Sequence, residues 1–479
     1  MRSKSLVIIG LVVVVSMLLA ACAPATPQVI EKVVEKTVVV EKEKVVPQTV
    51  IVEQTKVVEK EKVVTATPKP TPATKPKLSF WMNYNFEEAV NILIRDQVKQ
   101  WALTNNVDVD ILIAKDTDLH AKWSAGMEAP DTLPDVSVIF AQWMPKFYEA
   151  DLLLDVSDAY AEANKSGGGF MPAAKEAVTI AGKQWGVPYI GSVTPAYWRT
   201  DKLKEAGLSE PPKTYAEMLD FCKKVNKKGS FWCYGLALGG YSDNEVQMRN
   251  ILWSYGASDV GKDGKTITIN SPETLAALKW LKDMQDAGSF PPDAITGDDS
   301  ANNKYYQTKM VAMIVNTGSV LSWMRTNDPD LLKNTMLTTS PAGPAGAHAT
   351  GGFGASLGAF KKTKYPELAK SLIAWFCHAD RVWARTEAIK FGNLPVHVDA
   401  AKDPVWDDPY LKPFIQQLQI GHPIGYPGPS TTAAYEVQNQ LVLSRMAIRV
   451  ISGEQTPEQS VKQAEDEIKK IYAKFPPKL

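Results

Sequence analysis

LSFWMNYNFEEAVNILIRDQVKQWALTNNVDVDILI, residues 78–113, decides the fold class. Its first seven residues, LSFWMNY, are mostly apolar and aromatic, a strand composition. In the FEEAVNILIRDQVKQWA that follows, Phe86, Val90, Leu93, Ile94, Val98 and Trp101 recur at helical spacing and share one stripe. VDVDILI then alternates polar and apolar residues and predicts a second strand, and DVSVIF at 135–140 predicts a third. Strand, helix, strand with short connections is the pattern of a mostly parallel sheet covered by helices.

Toward the N-terminus the chain changes character. It opens MRSKSLVIIGLVVVVSMLLAACAP, in which Arg2 and Lys4 precede an apolar run that closes with small residues before Cys22. This predicts a secretory leader over 1–21, since the run is short for a membrane span and lacks a basic stop-transfer flank. Leu19-Ala20-Ala21-Cys22 resembles the lipobox of bacterial lipoproteins, which implies lipidation of Cys22 and a mature chain held at a membrane surface. Residues 22–77 alternate valine clusters with Glu, Lys and Gln, then turn Pro/Thr/Lys-rich. The valine spacing alternates between seven and five and Pro47 interrupts it, so a spacer is favoured over a coiled coil, with local strand or weak association left open.

Toward the C-terminus, Thr214 followed by Glu217 predicts a capping box that opens a helix through Val225. Ser271-Pro272 places an N-cap and a first-turn proline before a helix that stops at Gly288, and Pro366 starts another. MVAMIV at 310–315 reads as a buried strand, and Val461, Ala464, Ile468 and Ile471 share a face of a final helix. The roughly 400 residues after the spacer exceed what one hydrophobic core usually holds. Two α/β lobes are expected.

Composition narrows the function. The chain of 479 residues carries 53 basic and 53 acidic residues, and loss of a leader with Arg2 and Lys4 moves the net charge from 0 to −2. Such a chain has no electrostatic footprint for nucleic acid. Four cysteines exclude a disulfide-built scaffold. Cys222 and Cys233 stand where they can pair across a helix-to-strand turn in an oxidising compartment, leaving Cys377 as a buried thiol; spacing alone does not settle the pairing. The five histidines show no metal spacing, and no nucleophile-elbow, zincin, P-loop or EF-hand motif occurs. No metal, cofactor or catalytic residue is expected.

The body resembles the family 1 extracellular solute-binding proteins of ABC importers, the group that includes maltose- and other oligosaccharide-binding proteins. Five ordered features carry the resemblance: the strand tip Trp81-Met82-Asn83-Tyr84-Asn85; the tip Phe140-Ala141-Gln142-Trp143; GKQWGVPYIGSVTPAYWRTDKLKEAGLSEPPKTYAEML at 182–219; KMVAMIVNTGSVLSW at 309–323; and GGFGASLGAFKKTKYPELAKSLIAWF at 351–376. The resemblance implies a periplasmic-binding-protein-like fold, with lobe one at 78–190 and 353–395 and lobe two at 191–352 and 396–479. It further implies a ligand cleft between the lobes, a hinge of several crossings, closure on a carbohydrate, and delivery to the permease subunits of an importer by a monomeric protein. One departure is Gly318-Ser319-Val320, where many sugar-binding relatives place a tryptophan after the glycine, although Trp323 follows.

Candidate ligand contacts follow. Trp81 and Trp143 offer rings that suit the CH face of a pyranose, with core packing as the alternative for both. Asn83, Tyr84, Asn85 and Gln142 offer neutral donors and acceptors just past strands. Tyr189 and Tyr241 are cleft-lining candidates, and the resemblance adds Gly318, Ser319, Trp323, Gly352, Phe353 and Tyr435. The proposed rims lack the clustered ion-pairing groups that capture amino acids or phosphate. A neutral, hydroxyl-rich ligand is favoured; a polyol or nucleoside, a surface glycan hydrolase and a non-transport receptor are the alternatives.

Overall fold

A computed structural model describes residues 75–85, 88–236, 238–239, 242–298, 300–351, 354–388 and 394–479. The leader, Cys22 and nearly all of the spacer, with Phe86, Tyr241, Gly352 and Phe353, lie outside the described residues.

The chain builds β1 (Lys77–Asn83), α1 (Glu88–Asn105), β2 (Asp108–Ala114), α2 (Asp116–Glu128), β3 (Val136–Phe140), α3 (Met144–Glu149) and β4 (Val187–Ile190). It then crosses to β5 (Ala196–Arg199), α4 (Tyr215–Val225), β6 (Trp232–Tyr234), α5 (Ser242–Tyr255), α6 (Pro272–Asp286), β7 (Val311–Val315), α7 (Gly318–Asn327), β8 (Thr335–Thr338) and β9 (Ala349–Thr350). The remainder is β10 (Ala355–Ala359), α8 (Pro366–Phe376), α9 (Ala379–Ala388), β11 (Gly421–His422), α10 (Thr432–Asn439), α11 (Val442–Ile451) and α12 (Pro457–Lys474), with shorter helical turns between.

The first lobe is built on a five-stranded sheet in the order β2-β1-β3-β10-β4. β1 runs parallel to β2 and β3, as the strand-helix-strand pattern predicts. β10 is antiparallel to both its neighbours, so the parallel arrangement stops there. The register gives the reason: Ala355, where β10 begins, lies opposite Phe140, where β3 ends. A strand that arrives at the carboxyl ends of the others has to run against them. Leu78, Phe80 and Met82 point into the core of this lobe together with Val90, Ile94, Val98 and Trp101 from α1, the alternation and stripe that the two periodicities require.

The second lobe carries a four-stranded sheet, β8-β5-β7-β6. Its helices start on the expected caps. Thr214 Oγ1 accepts from Glu217 N at 3.1 Å while Glu217 Oε2 accepts from Thr214 N at 3.2 Å, satisfying two backbone donors left open at a helix start. Cys222 of α4 and Cys233 of β6 are disulfide-bonded, and Cys377 is a free buried thiol that burial pushes up to about 12. Deeper in this lobe α5 is tied to α11 by a buried carboxylate: Glu245 accepts from the Leu443 and Ser444 amides at 3.2 and 2.7 Å. Its neighbour Arg249 pairs with Asp259 at 2.8 Å. Burial pushes the Glu245 carboxyl up to about 7. Together these contacts fix the helix that forms one wall of the site below.

Candidate functional site

A cavity of about 320 Å³ lies where the two lobes meet. Ala141 and Gln142, just past β3, form its first-lobe side. Val246 of α5 with Tyr435, Gln438 and Asn439 of α10 forms the second-lobe side. Ser192, Thr350, Gly351, Gly354 and His422 close it from the crossing segments. β9 and β11 pair in parallel there and bring residues 349–350 beside 421–422. Gly351 has φ +131°, and a Cβ on it would stand 2.5 Å from the Ser192 carbonyl; only glycine lets these two crossing strands approach so closely.

Its chemistry is uniform. Gln142, Ser192, Thr350, Gln438 and Asn439 supply neutral donors and acceptors, and among the described residues no carboxylate, ammonium or guanidinium lines the cavity. His422, the imidazole on the wall, is kept neutral, its pKa lowered to about 4 by burial and by the adjacent His348. His348 Nδ1 and His422 Nε2 are 3.1 Å apart. His422 stacks on Tyr426 at 3.7 Å between ring centroids, and Trp253 stands edge-on to Tyr426 at 5.3 Å. A planar, uncharged wall thus backs a set of neutral hydrogen-bonding groups.

On one flank the lobes are clasped directly. Lys146 of α3 pairs with Glu436 of α10 at 2.8 Å, and Thr432 N donates to Glu149 Oε1 at 3.2 Å. Ala141 also packs on Ile424, Ala434 and Tyr435.

The sequence candidates divide. Gln142 and Tyr435 line the cavity. Asn83, Asn85 and Tyr189 come together elsewhere, around a much smaller pocket under the tip of β1, with Tyr189 OH donating to Asn83 Oδ1 at 3.0 Å. Tyr84 is exposed on a separate shallow depression with Lys115, Asp118 and Lys122. Trp81 is half-buried against the first-lobe core, with the Lys122 ammonium 5.5 Å from its ring.

Trp143 does not line this cavity. It is buried in an aromatic cluster of the first lobe, its ring centroid 5.7, 5.5 and 5.4 Å from those of His120, Trp123 and Phe147. The two-turn α3 begins right after Trp143 and turns its indole inward, onto α2. Gly318, Ser319 and Trp323 start α7 away from the cavity. Ser319 Oγ lies 3.2 Å from Thr317 Oγ1, and Trp323 packs against the core around Trp406. Reading along the chain missed Ser192, Thr350, His422, Gln438 and Asn439. Only His422 carried a signal, as a histidine in a Gly/Pro loop next to Tyr426.

Residues 97–413 match the sequence profile of the bacterial extracellular solute-binding proteins, which covers most of the chain. The chain belongs to that family, and its folded body is therefore extracytoplasmic and of a binding-protein class rather than an enzyme class. A Brucella abortus protein whose name says only that it is a binding protein is 28% identical over 305 residues, 63% of this chain and 70% of its own. Among solved structures, the sugar-binding protein MalE of Xanthomonas citri superposes with a TM-score of 0.69 at 22% identity, covering 83% of this chain and 98% of that one. A Thermotoga lettingae ABC transporter solute-binding protein, solved with α-D-tagatose, gives 0.66 at 20% identity over 83% and 100% of the two chains. At these identities the likeness establishes the two-lobed fold. No helix among the described residues is long and apolar enough to cross a membrane.

Proposed function

We propose that the protein captures a neutral, hydroxyl-rich solute, a carbohydrate, in the cavity between its lobes and delivers it to the permease subunits of an ABC importer. The observation that carries the ligand class is the uncharged lining: five neutral polar side chains and a neutral imidazole, with no ion-pairing group among the described residues for a carboxylate, phosphate or amine. Burying an ionic solute there would strip its hydration without a counter-charge. A sugar instead presents hydroxyls that Gln142, Ser192, Gln438 and Asn439 can both donate to and accept from. The importer role rests on the family and on the names of the relatives. Capture proceeds by closing the lobes, with Lys146–Glu436 and Glu149–Thr432 holding the clasped flank; release reopens them, and no bond is made or broken. The leader and Cys22 imply a lipid tether that keeps this exchange at the membrane face. Lobe limits at 190/191, 352/353 and 395/396 belong to the same proposal.

The test is a melting-temperature screen of the full chain against mono- and oligosaccharides, polyols, nucleosides, amino acids and organic phosphates. A ligand of the folded state raises the melting temperature in a concentration-dependent way. A rise with one sugar class is the expected result. A rise with organic phosphates or amino acids, and none with sugars, would remove the carbohydrate reading and leave the transport role.

A further inference from the structure

Under the tip of β1 a guanidinium is buried with no carboxylate of the described residues paired to it. Arg385 of α9 is 4% exposed. Its Nη1 donates to Gln97 Oε1 at 2.5 Å and its Nη2 to the Phe376 carbonyl at 3.0 Å, both neutral acceptors. Its Nε is buried and has no hydrogen-bond partner. The Phe376 and Tyr189 rings lie 3.8 and 5.6 Å from its Cζ. Among the described residues, the ionisable groups it senses are the buried Cys377 thiol, the Tyr189 phenol and the like charge of Arg381. Burial brings Arg385 down only to about 10, so it is charged at neutral pH.

Next to it is a cavity of about 20 Å³ whose polar lining is Arg385, Asn83, Asn85, Tyr189 and Thr386. A space of that size holds one small species. Asn83 uses its Oδ1 to accept from Tyr189, which keeps its amide N–H groups for another acceptor. An unpaired charge in an apolar interior is strongly destabilising unless something neutralises it, and among the described residues every group lining this space that can answer Arg385 is a neutral one.

We propose that this cavity binds a monovalent inorganic anion of halide size as the counter-ion of Arg385. The anion accepts from the guanidinium and the Asn83 amide, and so holds the tip of β1 onto α9. This site is distinct from the interlobe cavity and does not depend on the identity of the transported solute.

The experiment melts the full chain at constant ionic strength in chloride, in bromide, and in gluconate, which is too large for the space. Chloride and bromide should raise the melting temperature saturably, by about 1–3 °C over gluconate. Arg385→Met, which keeps the length and removes the charge, should abolish that dependence. Crystals grown in bromide should show an anomalous peak beside Arg385. Equal melting in all three salts together with a bromide map empty at Arg385 would overturn the proposal and leave a water in the space.

Discussion

Two aromatic clusters lie on either side of Ala141, and the second of them borders the interlobe cavity. His120, Trp123, Trp143 and Phe147 fill the interior of the first lobe. Trp253, His348, His422 and Tyr426 stand beside the interlobe space. The first is the denser and holds the residue that looks most like a sugar platform, yet none of its four rings lines the interlobe cavity. The second meets neutral amides and hydroxyls from both lobes. A binding wall is therefore marked by what faces it, and an aromatic beside a strand tip is by itself no more than a large apolar side chain seeking burial.

The comparison breaks most visibly at Trp143. Trp143→Ala should cost about 3–5 kcal/mol of stability, measured by denaturant unfolding. Solute affinity of the folded fraction should stay within about twofold; a large loss of affinity in a folded variant would return Trp143 to the site.

A histidine in apolar packing gives the next effect. His397 is fully buried on Phe170, and burial lowers its pKa to about 4. The unfolded chain takes up its proton near pH 6.5 and the folded chain only near 4, so stability falls as pH drops through that window. The loss is on the order of 3 kcal/mol, and His397→Phe should flatten that part of the stability profile. An unchanged profile would mean that the ring is hydrated.

Within the cavity, Gln438→Ala should weaken solute binding roughly five- to tenfold by calorimetry with little change in stability. No change would place the ligand elsewhere. The smallest effect belongs to the clasp: Lys146→Ala removes a partly buried ion pair to Glu436 and should cost about 0.5–1 kcal/mol or less. It should show as faster solute release.

Much of this architecture is local and so was legible in the sequence. The stripe from Val90 to Trp101, the strand pairing of 78–113, the Thr214 and Ser271 caps and the two-lobed class all follow from spacing and capping chemistry that neighbouring residues settle among themselves. The antiparallel β10 did not follow, because its direction depends on where the chain re-enters the sheet. The site was less legible still. Gln142, Ser192, Thr350, His422 and Gln438 come from five separate segments, and each alone is an ordinary loop or helix residue. Tyr435, named through family resemblance, lines the cavity, whereas Trp143 lies in the first-lobe core, a burial that depends on Trp123, a helix earlier in the chain.

The central claim is that the interlobe cavity takes an uncharged ligand. The most direct test is a calorimetric titration of the full chain with its best-binding solute at low and at high ionic strength. A neutral ligand among neutral side chains predicts the same Kd in both, because there is no charge contact for salt to screen. An affinity that falls steeply with salt would mean that ion pairing holds the solute, and would contradict the account.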